Sequence, residues 1–390
     1  MDKLILVTGA TGYIASRLIP RLLDSGYRVR ALARDPHRLR PRSWFKKIDI
    51  IQADVTSPES LTHAFDGVDT AYYLIHNMSR GHGYTSLELD AARNFARAAE
   101  QADIQHIIYL GGLADPEQHI APHMRSRIET GKVLREGKIP VTEFRAGVIA
   151  GSGSISFEMI RFMTELFPIV PGPLWMKNKS QPIAIQNVID YLFAALTNKN
   201  GQHGVFEIGG PEITTYKDLM MRYANIRGLN RSMIMLPGVP VWFMAFGVGL
   251  MTPVPYPIAH ALIGGLSADS IVKHPEVLTV FPEVQLIDFD SATKDALQKT
   301  HPAHIERIWL DNEGKTKFIK HEGCFILHTD SLLLPGEEAE VREHRITFFG
   351  NLWLEPKTLF FAPRGLLGFL YWYLMYPIHY MIVRRLLPHK

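Results

Sequence analysis

Residues 4–18, LILVTGATGYIASRL, constrain this chain more than any other stretch. An apolar run reads as a strand, Gly9 and Gly12 follow at once, and the next residues repeat at helical spacing. Ile14, Leu18 and Leu22 stand at i, i+4 and i+8, with Ile19 and Leu23 widening the face. A strand that turns sharply into a helix leaves backbone N–H groups at the positive helix end, where a pyrophosphate binds. Gly9 permits the tight turn, Gly12 permits close approach, and Ala15 is small enough for helix to pack on sheet. The spacing is GxxGxxA. Pro20 removes one backbone donor from the helix, and Gly26 closes it.

The alternation continues to about Gly151. YRVRALA, IDIIQAD, DTAYYLIH, HIIYLGG and VTEFRAGVIAG read as strands two to six, with helices expected over 87–102 and 126–136. Such a pattern predicts an α/β fold: a doubly wound parallel sheet with ligands at the carboxyl ends of its strands. A carboxylate after the second strand would bond the ribose of NAD. Ala33 stands there instead, followed by Arg34, with Arg38, Arg40 and Arg42 in the same loop. A guanidinium suits a 2′-phosphate in charge and in geometry. The expected cofactor is therefore NADP(H), and Asp35 is the counter-signal.

Composition excludes several other classes. Lys and Arg number 42 against 39 Asp and Glu, so no nucleic-acid partner is expected. The histidines are scattered and no metal site is expected. Cys324 is the one cysteine, so no intramolecular disulfide can form. Asp2 stands where a signal peptide would carry a basic region, so the expected location is cytoplasmic. Two stretches, 233–266 and 366–383, lack Asp, Glu, Lys and Arg altogether. The first contains Pro237, Pro240, Pro253, Pro255 and Pro257 and reads as short helices forming an apolar lid. If that lid binds a ligand, the ligand is apolar, lipid- or quinone-like.

The motifs VTGATGYIASRLIPRLL, VRALARDP, ADVTSPESL, IIYLGGLA, TGKVLRE and FEIGGPEITTYKDLM resemble the extended and atypical short-chain dehydrogenase/reductases, especially their NmrA-like branch. More narrowly, the chain resembles bacterial NAD(P)-binding proteins fused to a C-terminal START-like, helix-grip domain. The resemblance implies that Gly9, Thr11, Gly12, Tyr13, Ile14 and Arg34 hold the cofactor. It also implies that Asp54 and Val55 meet the adenine and that Leu74, Ile75 and His76 line its ribose. Typical members use a Tyr-x-x-x-Lys pair on the helix after the fifth strand. Lys132 fits the lysine, as a ribose ligand and tentative catalytic residue, but Ile128 stands in the tyrosine's place. Gly111 and Gly112 stand where the family's serine would be. His123, Ser126 and Tyr84 lie on neighbouring segments as substitute proton donors.

The expected organisation is a Rossmann unit over 1–300, with a lid region at about 152–182 and 211–275. A shortened α+β unit over 301–390 follows and ends in an apolar aromatic helix over 365–387, bent at Pro377. That helix packs across a sheet, lies on a membrane surface with Arg384 and Arg385 near headgroups, or, at the lower edge of spanning length, crosses a membrane. Two functions stay open. One is NADP(H)-dependent reduction of an apolar molecule without the usual tyrosine. The other is a non-catalytic NADP(H) sensor or a lipid-binding accessory protein.

Overall fold

A computed structural model describes residues 3–75, 84–118, 120–251, 254–305, 316–329, 342–346, 349–355 and 357–385. The amino-terminal half alternates as the sequence predicts: β1 (Leu4–Thr8), α1 (Tyr13–Asp24), β2 (Arg28–Ala33), β3 (Asp49–Gln52) and β4 (Thr70–Tyr73). α2 (Tyr84–Gln101), β5 (His106–Gly112), α3 (Pro122–Arg135) and β6 (Val141–Ala146) follow. The expected sixth strand stops at Ala146, and β7 (Ile149–Ala150) forms a separate short pair. Gly147 lies in the break, where an added Cβ would stand 2.6 Å from the Ser270 hydroxyl.

Next come α4 (Ile155–Leu166), β8 (Ile169–Pro173), β9 (Lys179–Ser180), β10 (Ile183–Ala184), α5 (Ile185–Ala194) and β11 (Gly204–Ile208). Seven parallel strands make one sheet in the order β11-β6-β5-β4-β1-β2-β3, so strand order reverses between β1 and β4. The protein is an α/β protein with a Rossmann-like sheet. Apolar side chains cover both faces. Ile5 and Val7 face α1 and α5 through Leu18, Leu22 and Leu192, while Leu4 and Leu6 face α2 through Phe95. Strands buried on both faces read as continuous apolar runs, which explains LILV.

After β12 (Thr214–Thr215) and α6 (Tyr216–Arg227), the uncharged stretch 233–266 supplies most of β13 (Ser232–Leu236), α7 (Val241–Met251) and α8 (Tyr256–Gly265). These elements join α4 in a third apolar cluster around Phe157, Leu219, Tyr223 and Ala259. α9 (Val277–Val280) packs on β11 at the edge of the parallel sheet, and α10 (Phe289–Gln298) packs on α6 and the short β7 and β10 pair.

The last region is a five-stranded antiparallel sheet ordered β14 (Lys317–His321), β15 (Cys324–His328), β18 (Thr358–Pro363), β17 (Gly350–Glu355) and β16 (Arg342–Ile346). α11 (Gly365–Arg385) lies across one face of it. Phe325, Leu327, Leu359 and Phe361 point to that helix, and Trp372 stacks on Phe361 with ring centroids 5.5 Å apart. Ile326, Phe360 and Trp353 cover the opposite face, as strand alternation requires. Pro377 falls inside α11, which continues to Arg385. Among the described residues α11 is the one helix long and apolar enough to cross a membrane, yet it packs against the sheet through Phe369, Trp372 and Val383.

Candidate functional site

The carboxyl ends of β1 to β6 open into one cavity of about 530 Å³. Its first end is the glycine turn. Gly9 has φ +65°, and a Cβ there would stand 2.5 Å from the Leu74 carbonyl oxygen. Gly12 N–H donates to the Gly9 carbonyl at 2.8 Å, and Gly12 caps α1 without any side-chain cap. The Thr8 hydroxyl donates to the Tyr72 carbonyl at 2.9 Å and accepts from Leu74 N–H at 3.0 Å. That hydroxyl pins β1 to β4 where the strand order reverses, the usual place for a ligand crevice.

Gly9, Thr11, Gly12, Tyr13 and Ile14 line the cavity, as do Arg34, Asp54, Val55, Leu74 and Ile75. His76 lies outside the described residues. Arg34 is exposed at the end of β2, directly after buried Ala33. Arg38 and Arg40 are also exposed. Arg42, expected in the same basic loop, is instead buried and donates to the Thr11 carbonyl at 3.3 Å. Burial pulls its pKa down to about 10, helped by the nearby charge of Arg17. Arg42 thus braces the glycine turn from behind. Tyr13 stacks under the Arg17 guanidinium, 3.9 Å from the ring centre, and burial raises its phenol pKa.

Lys132 does not join these residues. It is exposed and does not line the cavity. The reason is helical phase. α3 turns His123, Met124 and Arg127 to the cavity, Gly131 sits against buried Glu143, and the next residue rotates into solvent. Ile128 is buried in a side cluster with Ala114, Ile120 and Met124 and does not line the cavity. A side chain on Gly112 would meet the tips of Met124 and Arg127, at 2.7 and 3.0 Å.

Of the substitute donors, Ser126 is buried and donates to Glu88, away from the cavity. His123 does line the cavity. Burial, with the charge of Arg127, lowers its pKa to about 4, so the imidazole is neutral near pH 7. The second end of the cavity is apolar, walled by Met159, Met163, Trp175, Met220, Val248 and Leu262 from α4, α6, α7, α8 and the loop after β8. Polar groups there are few. Tyr216 opens α6, its pKa raised to about 12 by burial, and Asp269 and Ser270 lie on the segment beside Gly147. The sequence reading missed Arg127, Tyr216, Asp269 and Ser270. The pattern SADS, which ends the long uncharged stretch, was the signal available for the last two.

Comparisons with known proteins agree with this geometry. A reductase of Streptomyces griseus acting on a (4-alkanoyl-5-oxo-2,5-dihydrofuran-3-yl)methyl phosphate is 26% identical over 277 residues, 67% of this chain and 85% of that one. The photosystem II assembly factor Ycf39 of Cyanophora paradoxa is 25% identical over 244 residues, 60% of this chain and 71% of its own. Among solved structures, the triphenylmethane reductase of Citrobacter sp. superposes with TM-score 0.61 at 21% identity, covering 75% of this chain and 99% of that one. An NADPH-dependent quinone oxidoreductase of Escherichia coli, complexed with NADPH, superposes with TM-score 0.60 at 18% identity, over 75% and 99%. At these identities the structures share the fold. The NmrA-like family model matches residues 1–220, so the chain belongs to the NmrA-like family.

Proposed function

We propose that this protein is an NADP(H)-dependent oxidoreductase acting on an apolar, quinone-like acceptor. One observation carries the reading: a single cavity joins a glycine turn at the strand ends to a methionine-rich apolar chamber. The turn fits a dinucleotide, because Gly9 leaves no room for a Cβ and no side chain caps the start of α1. Gly9, Thr11, Gly12, Tyr13 and Ile14 would hold the pyrophosphate side, Arg34 the 2′-phosphate, Asp54 and Val55 the adenine, and Leu74 and Ile75 its ribose. Bound NADPH would supply a hydride to the acceptor. The structural neighbours that bind NADP(H) support this choice of cofactor.

The chain's own residues shape what can be reduced. Neutral His123 and the protonated phenol of Tyr216 line the cavity among its few polar groups, with Arg127, Asp269 and Ser270. Neither is a strong acid at pH 7, which favours acceptors that stabilise their own negative charge over simple ketones. A second reading is binding without turnover, favoured by Ile128 lying in side packing and Lys132 in solvent. The antiparallel sheet with α11 across it supports treating 301–390 as a separate, shortened helix-grip unit beside a 1–300 nucleotide unit. A reducing compartment such as the cytoplasm suits NADPH and the lone buried Cys324.

Titration calorimetry with both nucleotides tests the assignment. NADPH is expected to bind at least about tenfold more tightly than NADH, with Arg34→Ala removing most of the difference. Equal affinity in the parent protein would sink the NADP(H) assignment. NADPH oxidation with a panel of water-soluble quinones then decides between reduction and binding alone.

A further inference from the structure

α7 contains no charged side chain, and its one polar side-chain group is the indole N–H of Trp242: its sequence is VWFMAFGVGLM. At about 3.6 residues per turn, Met244 and Val248 fall on one side and line the cavity, while Trp242, Phe243 and Phe246 fall on the other. Those three rings are 58%, 55% and 59% exposed. A helix that is apolar all round belongs in an apolar environment on every side. α11 repeats the pattern. Phe369, Trp372 and Val383 pack on the antiparallel sheet, and the opposite stripe of Leu367, Leu370, Tyr373, Leu374, Ile378 and Met381 faces outward.

Both helices pack against α4. Gly365, which starts α11, stands against Leu229 and Arg231, and the chain then runs through β13, where Ile234 and Leu236 are exposed, into α7. No Asp or Glu occurs in 233–266 or 365–385, and exposed Arg364 and Arg384 stand at the two ends of α11.

We propose that α7 and the outer face of α11 form a peripheral membrane-docking surface for an anionic bilayer. Trp and Phe side chains enter the headgroup and acyl boundary, and the flanking cations meet anionic lipid. α7 is then both the wall of the catalytic chamber and the part in contact with lipid, so the acceptor reaches the chamber from the membrane. The last step rests on the proposed reductase reading; docking itself does not.

The test is cosedimentation of the full chain with vesicles of phosphatidylcholine alone or with a third phosphatidylglycerol. Binding to the anionic vesicles is expected, with a loss of about tenfold or more in Trp242→Glu/Phe246→Glu and in Leu370→Glu/Leu374→Glu. Circular dichroism and NADPH titration would verify that both variants remain folded. Absence of binding to either vesicle would overturn the proposal, and so would binding that neither double variant weakens. Sedimentation velocity supplies the other outcome: a dimer that the α7 variant dissolves, without vesicle binding, gives this face to a second copy. Vesicle binding in a protein that fails to bind NADPH would retain the docking surface and remove the reductase reading.

Discussion

Gly9 and Gly12 share a turn but carry different loads. Gly9 has a left-handed backbone, and its missing Cβ leaves room for the Leu74 backbone carbonyl just after β4. Gly12 has an ordinary φ of −86°, and its added Cβ would stand 3.0 Å from the Gly9 oxygen. Gly9→Ala is therefore expected to lower stability by roughly 2 kcal/mol or more and to abolish NADPH binding. Gly12→Ala should remain nearer the parent in thermal melting while weakening nucleotide affinity. Equal melting shifts for the two would contradict this division of roles.

At the scale of elements, Glu165 at the end of α4 gathers three partners. Its carboxylate accepts from the Tyr223 hydroxyl at 2.9 Å, from Arg227 at 2.8 Å and from the Gly365 N–H that begins α11. Glu165→Ala leaves Arg227 without its carboxylate and α11 without its anchor, a loss of about 3–5 kcal/mol if the pair is broken on one side. Limited proteolysis should then cut within 365–385 before the rest of the chain. Such long-range fastenings explain which elements were legible. β1 and α1 announce themselves through local periodicity. β14 does not, because Lys317, Lys320 and His321 interrupt its apolar pattern and pairing with β15 supplies the strand. The nucleotide end of the cavity was readable for the same reason as β1: its glycines act within one turn. The apolar end draws on residues from Met124 to Ser270, which only folding brings together. Lys132 stands apart from the cavity for a subtler cause, since spacing along a helix does not give its rotation about its own axis.

Over the whole molecule, buried titratable groups set an acid response. His106, His123 and His321 are each pushed from 6.5 to about 4, by burial first and by neighbouring positive groups second. The unfolded chain takes up these protons below about pH 6.5 and the folded chain does not, so stability is lost as pH falls from 6.5 to 4. Glu322 acts in the opposite sense. Burial raises its pKa to about 7 against the lowering effect of Arg17, with which it pairs at 3.0 Å. Its contribution is present below pH 4.5 and lost as pH rises through 7. Each group contributes up to about 3 kcal/mol, and three outweigh one. Urea midpoints are therefore expected to fall between pH 7.5 and 5, and to fall more steeply in Glu322→Gln, where the opposing group is gone. A midpoint that rises on acidification would show that the carboxylate dominates.

The cramped surroundings of Gly112 bear on redesign. A serine there would displace the tips of Met124 and Arg127 and reshape the chamber before offering a hydroxyl to any substrate. A tyrosine at position 128 would have to fit a larger side chain into the cluster that Ile128 now fills with Ala114 and Ile120. Packing sets both positions, so restoring either side chain means remodelling this wall of α3 first.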